Sequence, residues 1–183
     1  MRATKKLTLG AVMTALGVAF MALGAYVEVL DLSALALVSL LMVFMCIEVG
    51  APYNWLTYAA TSLLGAVFFT SRPVWLMYLL IFGIYPILKG FIERFGRGFW
   101  IPVKLVTFNL LFIPAIFLSQ LISGIPFFSV GELNLPDWLD PRLVIVALYV
   151  ICNVAFALYD AFLTSMIRFY FARLRPRFVR FLK

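Results

Sequence analysis

Six stretches of this chain are apolar almost without interruption, near 7–26, 33–50, 54–71, 73–92, 101–123 and 142–168. A helix of about 20 apolar residues reaches across the ~30 Å hydrocarbon core of a bilayer. Inside that core the backbone must satisfy its own hydrogen bonds, so only helices and closed barrels can span it. Barrel strands alternate apolar and polar side chains over about ten residues. These runs do not alternate, so helices are expected. The rest of the composition agrees: 65% of the 183 residues are hydrophobic and 13% charged, against roughly 45–50% and about 25% in soluble domains. The expected fold is an all-α integral membrane protein, one six-helix transmembrane bundle over 1–183. The first run is too long, and too poor in a small-residue cleavage site, for a removable signal peptide, and is read as the first span.

The connections set the topology. "GAPYN" separates the second and third runs and "SRP" the third and fourth, both short enough to force tight turns. Residues 124–141, "GIPFFSVGELNLPDWLDP", form the one long connection, with three prolines, three acids and several aromatics. A segment of that kind is expected to fold as a lid or interfacial piece rather than a free linker. Six spans put both termini on one side, and the charges select it. Thirteen of the fifteen Lys and Arg residues fall on the terminal side, leaving Arg72 and Arg142 on the other. The positive-inside bias makes that side cytoplasmic, as in a multi-pass protein of a prokaryotic cell membrane. The opposite side carries Glu28, Asp31, Glu132, Asp137 and Asp140, a field that favours a neutral or cationic ligand over a polyanion.

Several chemistries are excluded. The chain has no histidine, and Cys46 and Cys152 lie singly within apolar runs, so zinc sites, His general bases and haem ligation by His are not expected. No G-x-x-x-x-G-K-[ST] loop occurs, so the chain cannot supply its own ATP hydrolysis. No nucleophile, base and metal-ligand cluster of a lipid-modifying enzyme is present. Neither a cofactor nor a catalytic activity is expected. The tail "RFYFARLRPRFVRFLK" interleaves arginine with aromatics directly after a span. That pattern fits a segment lying on anionic lipid rather than one binding nucleic acid.

The first span carries Ala11, Ala15 and Ala19 at a spacing of four, with Thr8 extending the strip and Gly10, Thr14 and Gly17 widening it. Small residues four apart let two helices approach closely in lipid, where no hydrophobic force drives association. The strip fits close packing within this chain, or a docking face for a second membrane protein.

A chain of this size, with six spans, cytoplasmic ends and the opening "TKKLTLGAVMTALGVAF", resembles the substrate-binding S component of an energy-coupling factor (ECF) transporter. The third span "GAPYNWLTYAATSLLGAVF" and the long external connection resemble that family too. The resemblance implies a capture subunit for a vitamin-like small molecule. It implies partner docking through the A-x-x-x-A motif, carried here by Ala11 and Ala15 and again by Ala15 and Ala19, on a membrane coupling subunit that works with cytoplasmic ATPases. MreD-like scaffold proteins of envelope synthesis are similar in size and span count, and imply protein partners without a small ligand.

Polar residues inside the runs complete the candidates. Glu48, Lys89, Glu93 and Asp160 lie at similar depth towards the cytoplasmic side, where pairing of Lys89 with Asp160 or Glu48 would remove much of the cost of burying charge. In the outer half, Tyr26, Glu28, Trp75, Tyr78, Gln120, Trp138 and Tyr149, with Asn109 and Asn153 near mid-span, are candidates for a substrate pocket. An aromatic belt at the headgroups and interhelical hydrogen bonding account for the same residues without a ligand.

Overall fold

The computed structural model describes residues 3–70, 72, 74–94, 100–123 and 140–176. Among these the regular structure is entirely helical: α1 (Ala3–Tyr26), a 3-10 turn (Glu28–Leu30), α2 (Asp31–Glu48), α3 (Tyr53–Phe68), α4 (Val74–Ile92), α5 (Trp100–Ser123) and α6 (Pro141–Phe169), which runs on through a π turn (Tyr170–Leu174). The helices α1, α2, α4, α5 and the extended α6 are long and apolar enough to cross a membrane. At 16 residues α3 is shorter: the run expected to 71 stops at Phe68, where the Phe69 amide closes on the Gly65 carbonyl at 2.9 Å. The lid-like connection up to residue 139 and the basic tail from 177 lie outside the described residues.

Local chemistry sets the ends of these elements. Gly50 closes α2 with φ +71°, a left-handed conformation that costs glycine nothing, and its amide returns to the Met45 carbonyl at 2.9 Å. At the start of α6 the Asp140 carboxylate accepts from the Arg142 amide at 2.8 Å, and Pro141 fills the first turn, where its missing N–H costs no helical bond.

α1 packs most extensively on α2 and α3, and its buried face is Gly10, Thr14, Gly17, Met21, Gly24 and Ala25. The approach is close because the glycines lack a Cβ. One built on Gly10 would stand 3.0 Å from Thr57 Oγ1, and one on Gly17 3.1 Å from Thr61 Cγ2. The central layer is apolar, with Met21, Leu35, Val38, Met42, Tyr78 and Tyr85 buried.

α4 is broken at its middle by a π turn, Tyr78–Phe82. The Gly83 amide reaches back to the Tyr78 carbonyl at 2.7 Å, so the Leu79 carbonyl loses its usual donor four residues on. The Tyr58 hydroxyl donates to it at 2.7 Å. Pro86 has no N–H, which leaves the Phe82 carbonyl without its own donor, and the Ser39 hydroxyl supplies one at 2.6 Å. Backbone freed in the middle of an apolar helix is thus satisfied by side chains of α2 and α3, the condition on which a broken helix is tolerated in a bilayer.

On the other side, aromatic rings join α4, α5 and α6. Phe108 stacks on Phe156 at 4.1 Å and on Phe112 at 4.9 Å, and Tyr85 meets Phe156 edge-on at 4.8 Å. The outward faces of α5 and α6 carry exposed Val106, Leu110, Ile113, Phe117, Val146, Val150, Val154 and Leu158, a surface that water would not tolerate and lipid would.

Candidate functional site

Ionisable groups of α4, α5 and α6 converge at one end of the bundle. Lys89, on the last turn of α4, is 1% exposed. Its ammonium donates to Asp160 of α6, to Glu93 Oε1 at 2.7 Å and to Thr164 Oγ1 at 2.8 Å. Lys104 of α5 completes the square, reaching Glu93 Oε1 and Asp160 Oδ2 at 2.8 Å each. Tyr85, one turn before Lys89, donates to Asp160 Oδ1 at 2.7 Å. Two ammoniums and two carboxylates make a neutral cluster whose members satisfy one another, the requirement for charge at low dielectric. Glu93 stands in the turn just past α4. Burial acts to raise its pKa, but hydrogen bonds from Lys104 and Lys89 outweigh this and hold the carboxyl below the ordinary glutamate range.

The structure pairs Lys89 with Asp160 and not with Glu48. Glu48 closes the end of α2 and accepts instead from Arg175 Nε at 3.2 Å, so it does not belong to the network in which the sequence placed it. Lys104 and Tyr85, both absent from the sequence-derived set, do belong. Lys104 counts in the sequence as one more loop cation, although it lies four residues inside α5.

Nearer the middle of α5 and α6, Tyr149 donates to Asn109 Oδ1, and Asn109 Nδ2 donates to Asn153 Oδ1 at 2.9 Å. A third polar contact reaches α2: Tyr159 donates to Ser39 Oγ at 2.6 Å, the same hydroxyl that serves the Phe82 carbonyl.

The other substrate-pocket candidates do not join this trio. Tyr26 is 82% exposed at the end of α1, Gln120 is exposed on α5, and Tyr78 is fully buried beside Tyr58, their ring centroids 6.1 Å apart. Trp75 packs near Gly65 at the start of α4, and Glu28 stands in the 3-10 turn after α1. Trp138 lies outside the described residues.

The small-residue strip of α1 separates into two faces. Gly10, Thr14 and Gly17 turn inward, whereas Ala11, Ala15 and Ala19 are exposed. Beside Ala11 and Ala15, an apolar groove of about 460 Å³ runs between α1 and α3, walled by Leu56, Ala60 and Leu64. At its mouth the Lys6 ammonium lies 5.5 Å above the Tyr53 ring. Among the described residues three more cation–ring pairs occur, Arg94 with Phe91, Lys104 with Trp100 and Arg175 with Phe171, at 5.0–5.6 Å. No protein-family model matches the chain, and no curated protein or solved structure is significantly similar to it.

Proposed function

We propose that this chain is a substrate-capture subunit of an ECF-type importer, non-catalytic, taking a vitamin-like small molecule from outside and docking through α1 on a membrane coupling subunit served by cytoplasmic ATPases. One observation carries the reading. α1 spends its glycines on its own partners and leaves Ala11, Ala15 and Ala19 bare, the small-residue surface that close approach of a foreign helix in lipid requires. In this reading the chain crosses a prokaryotic cell membrane six times. α3 is the shortest crossing, and the cluster of cations is on the cytoplasmic side. The Asn109, Tyr149 and Asn153 trio offers the polar contacts for a ligand. The test is co-purification with a coupling subunit and its loss on Ala15→Trp. Capture undiminished by that bulky change ends the docking role. Membrane-impermeant thiol labelling of Lys6→Cys and Arg142→Cys checks the orientation: label from outside should reach only position 142.

A second reading, an MreD-like scaffold of envelope synthesis, draws on a different observation. The pocket candidates that the structure brings together, Asn109, Tyr149 and Asn153, bond chiefly to one another, as residues that merely tie two helices would. A thermal-shift screen of vitamins and their precursors separates the two. A stabilising ligand supports capture, and protein partners without any such ligand support the scaffold.

A further inference from the structure

The groove between α1 and α3 has a length, a mouth and a lining that together name an occupant. It extends from Lys6 to Ala15 along α1, nine helical rises or about 13–14 Å. On α3 it extends from Tyr53 to Leu64, about 16 Å. Half of a ~30 Å hydrocarbon core is about 15 Å, so the groove covers the depth of one leaflet and stops near the bilayer middle. A helix crossing the whole membrane would want a longer channel. The wall is apolar: Leu7, Gly10 and Ala15 of α1 and Leu56, Ala60 and Leu64 of α3 line it. A void of this kind in lipid forfeits dispersion contacts unless something flexible and apolar fills it.

The mouth adds a sign. Lys6 lies there over Tyr53, and among the described residues no carboxylate pairs with it. The ring fixes the ammonium at the end of the bundle where Arg94, Lys104 and Arg175 also stack on aromatics. A cation held at headgroup level above a one-leaflet apolar slot is complementary to a molecule with a negative head and a hydrocarbon chain.

We propose that the α1–α3 groove holds one acyl chain of an anionic phospholipid, with its phosphate against Lys6. The site is separate from the polar trio of α5 and α6 and does not depend on the docking role of α1. If the docking role also holds, a partner helix must displace this lipid from beside Ala11 and Ala15.

The test uses the full chain reconstituted in vesicles of equal parts phosphatidylglycerol and phosphatidylcholine. The lipid retained through purification is then counted by native mass spectrometry. The expected result is one tightly held phospholipid per chain, enriched in phosphatidylglycerol. Lys6→Gln should lower that enrichment about fivefold, the effect of one cation at an anionic surface, without emptying the groove. Ala15→Phe should fill the groove and abolish retention, and Ala19→Phe, on the same ridge beyond the groove, should leave it intact. A thermal midpoint equal to wild type shows that each variant is folded. Should Ala15→Phe fail to fold, Ala60→Phe closes the groove from α3. Equal retention of the two lipids by wild type, or full retention by the groove-filling variant, overturns the proposal, as does equal loss from the Ala19 variant. Loss of coupling-subunit capture on Ala15→Trp with lipid selectivity absent in wild type would uphold docking and reject the lipid site; the converse pair would do the reverse.

Discussion

Lys89 shows how the chain tolerates charge in a mostly apolar setting. Its ammonium, 1% exposed, touches two carboxylates and a hydroxyl. Removing one partner is worse than removing the whole set, because the survivors keep their desolvation cost without the attraction that offsets it. Asp160→Asn should therefore destabilise the protein by about 3 kcal/mol, read as a lowered thermal midpoint in detergent. Lys89→Met combined with Asp160→Leu should recover part of that loss. Glu93 supplies the pH dependence. Its folded pKa is below its unfolded one, so its contribution is complete at neutral pH and is lost as the pH falls through the folded value. The midpoint of wild type should drop more between pH 7 and pH 4 than that of Glu93→Gln. Depth in the sequence offers Asp160 and Glu48 alike as partners for Lys89, and the structure takes Asp160. Lys104 is not legible in the sequence, because a cation near a span end looks the same whether it faces headgroups or turns inward. Glu48 misleads for the same reason: depth counted in residues carries no information about which face of the helix a side chain occupies.

At the scale of elements, α1 teaches that spacing reveals a strip of small residues but not its direction. Glycine, alanine and threonine surround much of this helix, so its sequence has no strong apolar face to point inward. The structure separates glycine-facing-in from alanine-facing-out by how close α3 comes. Substitutions on the two faces should part sharply. Gly10→Leu drives a side chain into Thr57 and should cost about 1–3 kcal/mol or more. Ala11→Leu, one residue on, should change stability by no more than about 0.5 kcal/mol. α4 holds the feature least visible in the sequence. Pro86 marks a missing donor, yet nothing local predicts that Tyr58 and Ser39, distant in sequence, will serve the freed carbonyls. A Cβ on Gly83 would stand 2.8 Å from Tyr78 Cζ and 2.9 Å from Tyr58 Cδ2. Gly83→Ala should thus displace both rings and cost about 1–3 kcal/mol, measurable by the same thermal assay.

For the whole molecule, the apolar runs announce the helices because lipid demands continuous hydrocarbon over a fixed length. The run ends deviate by a few residues where caps and turns decide, as at Gly50, Phe68 and Asp140. A pocket is harder to read, since Trp and Tyr serve membrane interfaces as well as ligands, and among the described candidates the two asparagines and Tyr149 end in mutual contact. The last helix joins the rest through stacked rings and through a row of polar contacts. Phe156, Leu163 and Tyr170 are its buried apolar and aromatic side chains, while Tyr149, Asn153, Tyr159, Asp160 and Thr164 bond to α2, α4 and α5. Translation runs from the amino end, so Lys89 and Lys104 are made before the carboxylate of Asp160 exists. Until it arrives, the nascent chain holds two ammoniums and one nearby acid. A message ending at codon 140 should yield a product that quality-control proteases clear faster than the full chain in a pulse-chase experiment. Replacing both lysines with methionine in that shortened product should lengthen its half-life.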